Sequence, residues 1–119
     1  GVTPMRTDTD AEPNGGIRRF WQWHSLLPKL GLYDGREGEI PYDYADVLSL
    51  VAPRPCLVVT PTRDRFADVD DLRECVARAR KAWKAKDAAD NLSHRAPDDI
   101  NRFQRSQQDT FLEWAKSLE

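Results

Sequence analysis

Apolar positions are spread unevenly along the 119-residue chain. Residues 1–16 are polar and turn-rich, close on Pro13-Asn14-Gly15-Gly16, and read as loop. Ile17, Phe20, Trp21, His24 and Leu27 then recur at helical spacing and predict an amphipathic helix over 17–27. Pro28 limits its continuation, because a proline lacks the N–H that a helix interior uses. Gly31, Gly35, Gly38 and Pro41 predict a long loop over 28–42. Asp43 can cap a second, short helix, with Asp46 supporting its first turn and Val47, Leu48, Leu50 and Val51 supplying its buried face. Pro53 and Pro55 stop that helix and launch a strand over 55–60.

The third helix carries the fullest set of signals. Asp68 is a natural N-cap, and Asp70, Asp71 and Glu74 put negative charge in the first turns. Arg80, Lys81, Lys84 and Lys86 put positive charge in the last turns, so both ends complement the helix dipole. Val69, Leu72, Val76, Ala79 and Trp83 form its apolar stripe. A final helix is expected over about 100–117, where Ile100, Phe103, Phe111, Trp114 and Leu118 align roughly on one face. Between these two helices, residues 89–97 (ADNLSHRAP) occupy the place of a strand in a β-α-β-α pattern, yet only Leu92 is strongly apolar. A short, edge-like strand is expected there.

The run Cys56-Leu57-Val58-Val59 has no polar face, which is the pattern of a strand buried on both sides in a parallel sheet. Such a strand demands neighbours, and the chain offers one weak candidate. The pattern therefore predicts an α/β fold that forms the end of a larger sheet or pairs with another chain. The expected domain organisation is one partial domain over 1–119. Residues 1–51 form loop and helices before the strand, and 52–119 form strand, loop, helix, loop and helix.

Composition narrows the function classes. The apolar fraction is 39% and the charged fraction 32%, and the net charge of -2 gives no general reason to expect nucleic acid or an anionic membrane as partner. No apolar stretch approaches a membrane span, and no signal peptide opens the chain. Gly1 in first position is expected of a processed, trimmed or incomplete chain. Two cysteines, Cys56 and Cys75, make neither a disulfide framework nor a metal cluster and read as reduced core thiols. With no CxxC or HExxH, no metal site and no cofactor are expected.

The candidate chemistry lies past the strand. In open parallel sheets, reactive groups sit on loops beyond the carboxyl ends of strands. Asp64 has that position, and His94 falls just after the expected second strand. Adjacent strand ends lie side by side in a β-α-β unit, so the two loops could bring Asp64 to His94. A carboxylate bonded to one ring nitrogen fixes the imidazole tautomer and leaves the other nitrogen to act as base. The order acid then histidine suits α/β-hydrolases. Blander roles stand beside these. Asp64 could form a turn or pair with Arg63 or Arg65, and His94 could be an exposed loop residue. Asp68 competes as the acid but reads better as a cap, His24 reads as a packing or surface histidine, and Arg102 as a solvated charge. None of Ser25, Ser49, Ser93, Ser106 and Ser117 lies in GxSxG, and neither cysteine is placed to attack a substrate.

Residues 52–64, APRPCLVVTPTRD, resemble the penultimate strand of α/β-hydrolases of the dienelactone hydrolase and acetyl xylan esterase-like branch. There an Ala-Pro-Arg-Pro lead-in precedes an apolar strand and a loop bearing the catalytic acid. The stretch RDRFADV is similar to the dienelactone hydrolase loop, in which an Asp is followed two residues later by Phe. The resemblance implies the acid's role for Asp64 and, from the separation between them, the base's role for His94. It covers 52–72 most specifically. Two departures stand out: Ser93 precedes His94 where the family usually has glycine, and RAPDDINRF replaces the usual context after the histidine.

The resemblance implies the C-terminal part of a hydrolase of carboxylic esters, with acylated carbohydrate as a narrower substrate class. Its nucleophile, oxyanion hole and most of the sheet would lie upstream of Gly1, and the isolated chain is expected to be inactive. Two other readings stay open. One is a non-catalytic binding module of the same fold; the other is a small α/β interaction domain that forms a homo-oligomer through exposed sheet edges.

Overall fold

The structure is a computed structural model, and it describes residues 5, 6, 17, 27–65 and 67–118. Of the helix expected over 17–27, only its end residues Ile17 and Leu27 fall among these; His24 and the rest lie outside them. The segment expected as loop over 28–42 contains two 3-10 turns, Pro28–Tyr33 and Glu37–Glu39. Gly35 sits between them at φ 75°, a left-handed conformation that suits a residue without Cβ.

Helix α1 spans Tyr44–Ser49. Asp43 caps it in both directions: its Oδ1 accepts from the Tyr44 N–H at 2.7 Å, while its own N–H donates to Asp46 Oδ2 at 2.8 Å. The expected buried face is partly wrong. Val47 and Leu50 are exposed, and it is Ala45 that is buried, with Leu48 and Val51 packed at the edge of the core. Three α-helical turns would be needed to express the full stripe; α1 has six residues, and the chain leaves it through bends at 50–54.

Strand β1, Cys56–Val59, leads through the 60–68 loop into helix α2, Val69–Lys84. Asp68 caps α2, its side chain accepting from the N–H groups of Asp70 and Asp71. Leu72, Cys75, Val76, Ala79 and Trp83 are its buried positions, one continuous stripe at helical spacing. A 3-10 turn, Ala89–Asn91, then delivers strand β2, Leu92–Arg95. β1 and β2 pair in parallel, Val58 opposite His94 and Val59 opposite Arg95. The weak second strand is therefore real, and the chain is a mixed α/β protein.

The faces of this small sheet are unlike. Val58 and Leu92 turn towards α2 and close a core with Val76, Ala79 and Trp83. Each such burial is worth about 1.5–3 kcal/mol. Trp83 is fully buried and donates its indole N–H to the Arg54 carbonyl at 3.0 Å, so the polar tip of the ring is satisfied. On the opposite face, helix α3, Arg105–Lys116, stands over Val59, Ser93 and Arg95 across a cleft of about 750 Å³ and buries none of its residues.

α3 begins later than the sequence pattern suggests. Asp99 takes the Ile100 N–H, both sides of the Arg102 guanidinium and the Gln104 amide, which fixes 99–104 as an irregular loop. Ile100 and Phe103 are left exposed, outside the helix. A second core, Met5, Ile17, Leu30 and Ile40, lies apart from the first. No helix among the described residues is long and apolar enough to cross a membrane.

Candidate functional site

The loops following β1 and β2 lie side by side, as a parallel pair requires. They are laced by their backbones: the Thr60 N–H donates to the Arg95 carbonyl, Thr62 to Pro97 and Arg63 to Asp99, at 2.8–2.9 Å. Thr62 Oγ1 adds a bond to the Pro97 carbonyl, and the Arg63 side chain pairs with Asp98 through its Nε at 3.0 Å. Arg63 is therefore engaged across the loops.

Asp64 stands four residues past the Thr60 end of this ladder, half-buried. Its Oδ2 accepts from the Asn101 side-chain amide at 2.9 Å, and its carbonyl accepts from the Ala67 N–H. The acid thus touches the loop after β2, the place expected for it, but the group it meets there is Asn101.

His94 is the third residue of β2, inside the strand and not in the loop beyond it. Strand alternation puts it on the same face as Leu92, the face covered by α2. Its Nε2 lies 2.6 Å from Thr60 Oγ1. Thr60 is two residues beyond Val58, the register partner of His94, so the hydroxyl and the ring share that face at the carboxyl end of the sheet. Burial, then the guanidinium groups of Arg80 and Arg73 on α2, hold the imidazole below the usual histidine range. The ring is therefore neutral at pH 7. Among the described residues no hydrogen bond or ion pair joins His94 to Asp64; each has a different polar partner.

Thr60 and Asn101 are the two site residues that the sequence pattern did not mark. Thr60 has a signal in retrospect, since an apolar strand ending in a hydroxyl residue beside Pro61 leaves that hydroxyl buried and in need of a partner. Asn101 has none.

Asp99 is nearly buried, its carboxyl held below the ordinary range chiefly by the hydrogen bond from Arg102. Burial pushes the Cys75 thiol up to about 11, with Asp43 and Asp46 adding to the effect and Arg78 opposing it. Burial likewise raises Cys56. Neither thiol is activated as a nucleophile. No group of three or more metal-ligating side chains occurs among the described residues. No family model matches the chain, and no curated protein matches it.

Proposed function

We propose that this chain supplies the acid and base of a carboxylic ester hydrolase of the α/β-hydrolase type, working with a nucleophile that these 119 residues do not contain. The observation that carries the reading is the lacing of the two loops past a parallel strand pair. Asp64 projects from the first loop, and His94 stands beside the second at the carboxyl end of β2. The similarity of 52–64 to the acid-bearing strand of dienelactone hydrolase-like enzymes adds to it.

In the reaction, a serine or cysteine from another part of the sheet attacks the ester carbonyl. His94 takes the nucleophile's proton and passes it to the leaving alkoxide, and Asp64 orients the ring. A neutral imidazole is the form such a base requires. The step asks His94 to exchange Thr60 for Asp64. Carboxylic esters are the substrate class, with acylated carbohydrate the narrower form, and the chemistry uses no cofactor.

The bond from Thr60 to His94 favours a second reading, a non-catalytic binding module in which the two residues only stabilise the sheet. Ester hydrolysis separates the two. The isolated chain gives no turnover of a chromogenic acetyl ester above background. Joined to a nucleophile-bearing sheet, it hydrolyses the ester, and His94→Ala or Asp64→Asn lowers kcat by a factor of about 100 to 10,000. Turnover by the isolated chain that is lost in His94→Ala, or a joined enzyme indifferent to both substitutions, sinks the proposal.

A further inference from the structure

Thr60 follows β1 directly and His94 lies inside β2, and each side chain has the other as its polar partner. Thr60 Oγ1 and His94 Nε2 are 2.6 Å apart, a short contact by hydrogen-bond standards. Thr60 is only 6% exposed, and its hydroxyl makes no other hydrogen bond among the described residues. His94 Nδ1 makes none either. Two proton arrangements fit this distance. In one, the hydroxyl donates to a bare Nε2 and the ring's proton is on Nδ1. In the other, an Nε2–H donates to the hydroxyl oxygen, and the hydroxyl's own proton needs a further acceptor. Thr60 has no such acceptor within reach, and a buried donor left unpaired is costly. A proton on Nδ1 carries no such cost, because the side-chain atom buried without a partner among the described residues is Gln107 Nε2 and not this nitrogen.

We propose that the Thr60 hydroxyl donates to His94 Nε2 and presets the ring with its proton on Nδ1, which makes Thr60 a positioning residue for the base. In water a neutral histidine ring carries its proton mainly on Nε2, so the Nδ1–H form has to be imposed. The bond made at one ring nitrogen decides where the proton sits on the other. The tautomer stands on the buried pair alone, while its use rests on the hydrolase reading above. In that reading the carboxylate takes an Nδ1–H, and Nε2 accepts the nucleophile's proton. Thr60 therefore holds, in the resting chain, the place that the nucleophile's hydroxyl takes in the reaction. When the ring exchanges Thr60 for Asp64, its proton is already on Nδ1 and Nε2 has a bare lone pair. No proton has to be relocated before attack.

Long-range proton–nitrogen correlation NMR of the 119-residue chain tests this near pH 8, where the ring is neutral. Protonated and bare ring nitrogens resonate far apart, and the spectrum of His94→Gln assigns the signals against those of His24. The parent chain should show Nδ1 protonated and Nε2 bare. Thr60→Val should move the ratio of the two forms towards Nε2–H by about two- to ten-fold, the worth of one hydrogen bond. Thr60→Ser keeps the donor and should return the parent ratio, which a purely steric role for Thr60 does not predict. The parent spectrum needs no variant, so a Thr60→Val chain that fails to fold leaves the test standing. A parent ring with Nε2–H as its major form overturns the proposal, and so does a folded Thr60→Val chain with the parent's ratio. Failure of the hydrolase reading looks different: a joined enzyme indifferent to His94→Ala, beside a parent ring protonated on Nδ1, removes the reaction and keeps the tautomer.

Discussion

Thr60 Oγ1 lies 2.6 Å from His94 Nε2, joining the end of one parallel strand to the middle of its neighbour thirty-four positions along the chain. The pair is half-buried beneath α2, and the hydroxyl residue itself is only 6% exposed. A neutral imidazole and a hydroxyl each keep their polar atom satisfied by the other.

Removing one member is therefore costlier than the bond alone. Thr60→Val keeps the shape and deletes the partner of His94, and is expected to lower stability by about 1–3 kcal/mol. Thr60→Ser restores the hydroxyl and recovers most of that loss. Urea midpoints of the three proteins measure it, and a Thr60→Val midpoint equal to that of the parent chain refutes the role given to the pair.

The same site sets a pH dependence. Burial and the charges of Arg80 and Arg73 place the His94 value below its ordinary 6.5 in the folded chain. The unfolded chain thus binds a proton that the folded chain resists. Its contribution is whole above the unfolded value and is lost as pH falls from there towards the folded value. Urea midpoints should fall between pH 7 and pH 5.5, and His94→Gln should flatten that slope. Asp99 acts lower down: its depressed value gives a contribution present above about 3.8 and lost as pH falls through the folded value, so the two windows separate. A slope between pH 7 and 5.5 that is unchanged in His94→Gln would assign it to other groups.

Thiol accessibility checks the core directly. With Cys75 pushed up to about 11 by burial and by Asp43 and Asp46, its thiolate is scarce at pH 8. Cys56 is raised as well. The native chain should react with an aromatic disulfide reagent far more slowly than the chain in concentrated urea, which releases two equivalents. Rapid labelling of Cys75 in the native chain contradicts its burial on the inner face of α2.

The two aspartate caps should differ in worth. Asp68 is exposed at the head of α2, and Asp68→Ala should cost about 1 kcal/mol. Asp43 is buried and also accepts the backbone N–H of Met5 at 2.7 Å and of Arg6 at 3.3 Å. Asp43→Ala strands those donors as well as the helix end, for a total of about 2–4 kcal/mol. Calorimetry of both variants gives the ranking, and equal losses would contradict it.

What could be read from the sequence was local. The charge gradient from Asp70 to Lys84, the Asp68 cap and the Asp43–Asp46 pair each depend on residues within a few turns, and each forms where the pattern places it. The apolar run at 56–59 likewise depends on composition alone. The site was less legible because register decides it. A shift of one residue in the pairing of β1 with β2 would turn His94 to the other face and away from Thr60, and no residue type announces that register. α3 misled for a different reason: Ile100 and Phe103 have helical spacing, but the Asp99 carboxylate captures the backbone and side chains that follow it, and the helix waits until Arg105. At α1 the apolar residues outnumber the buried places that six residues can offer.

Asp43 has a wider consequence. Among the described residues the buried apolar side chains form two clusters, with Trp83 in the first and Met5, Ile17, Leu30 and Ile40 in the second. The Asp43 carboxylate, together with the packing of Tyr44, joins the start of α1 to the residues around Met5. Loss of the second cluster leaves the contacts among β1, α2 and β2 in place, so the two clusters are expected to open with separate free energies. Through Asp43 and Tyr44, the packing around Met5 is coupled to the helix that leads into the part of the molecule where Asp64 and His94 stand.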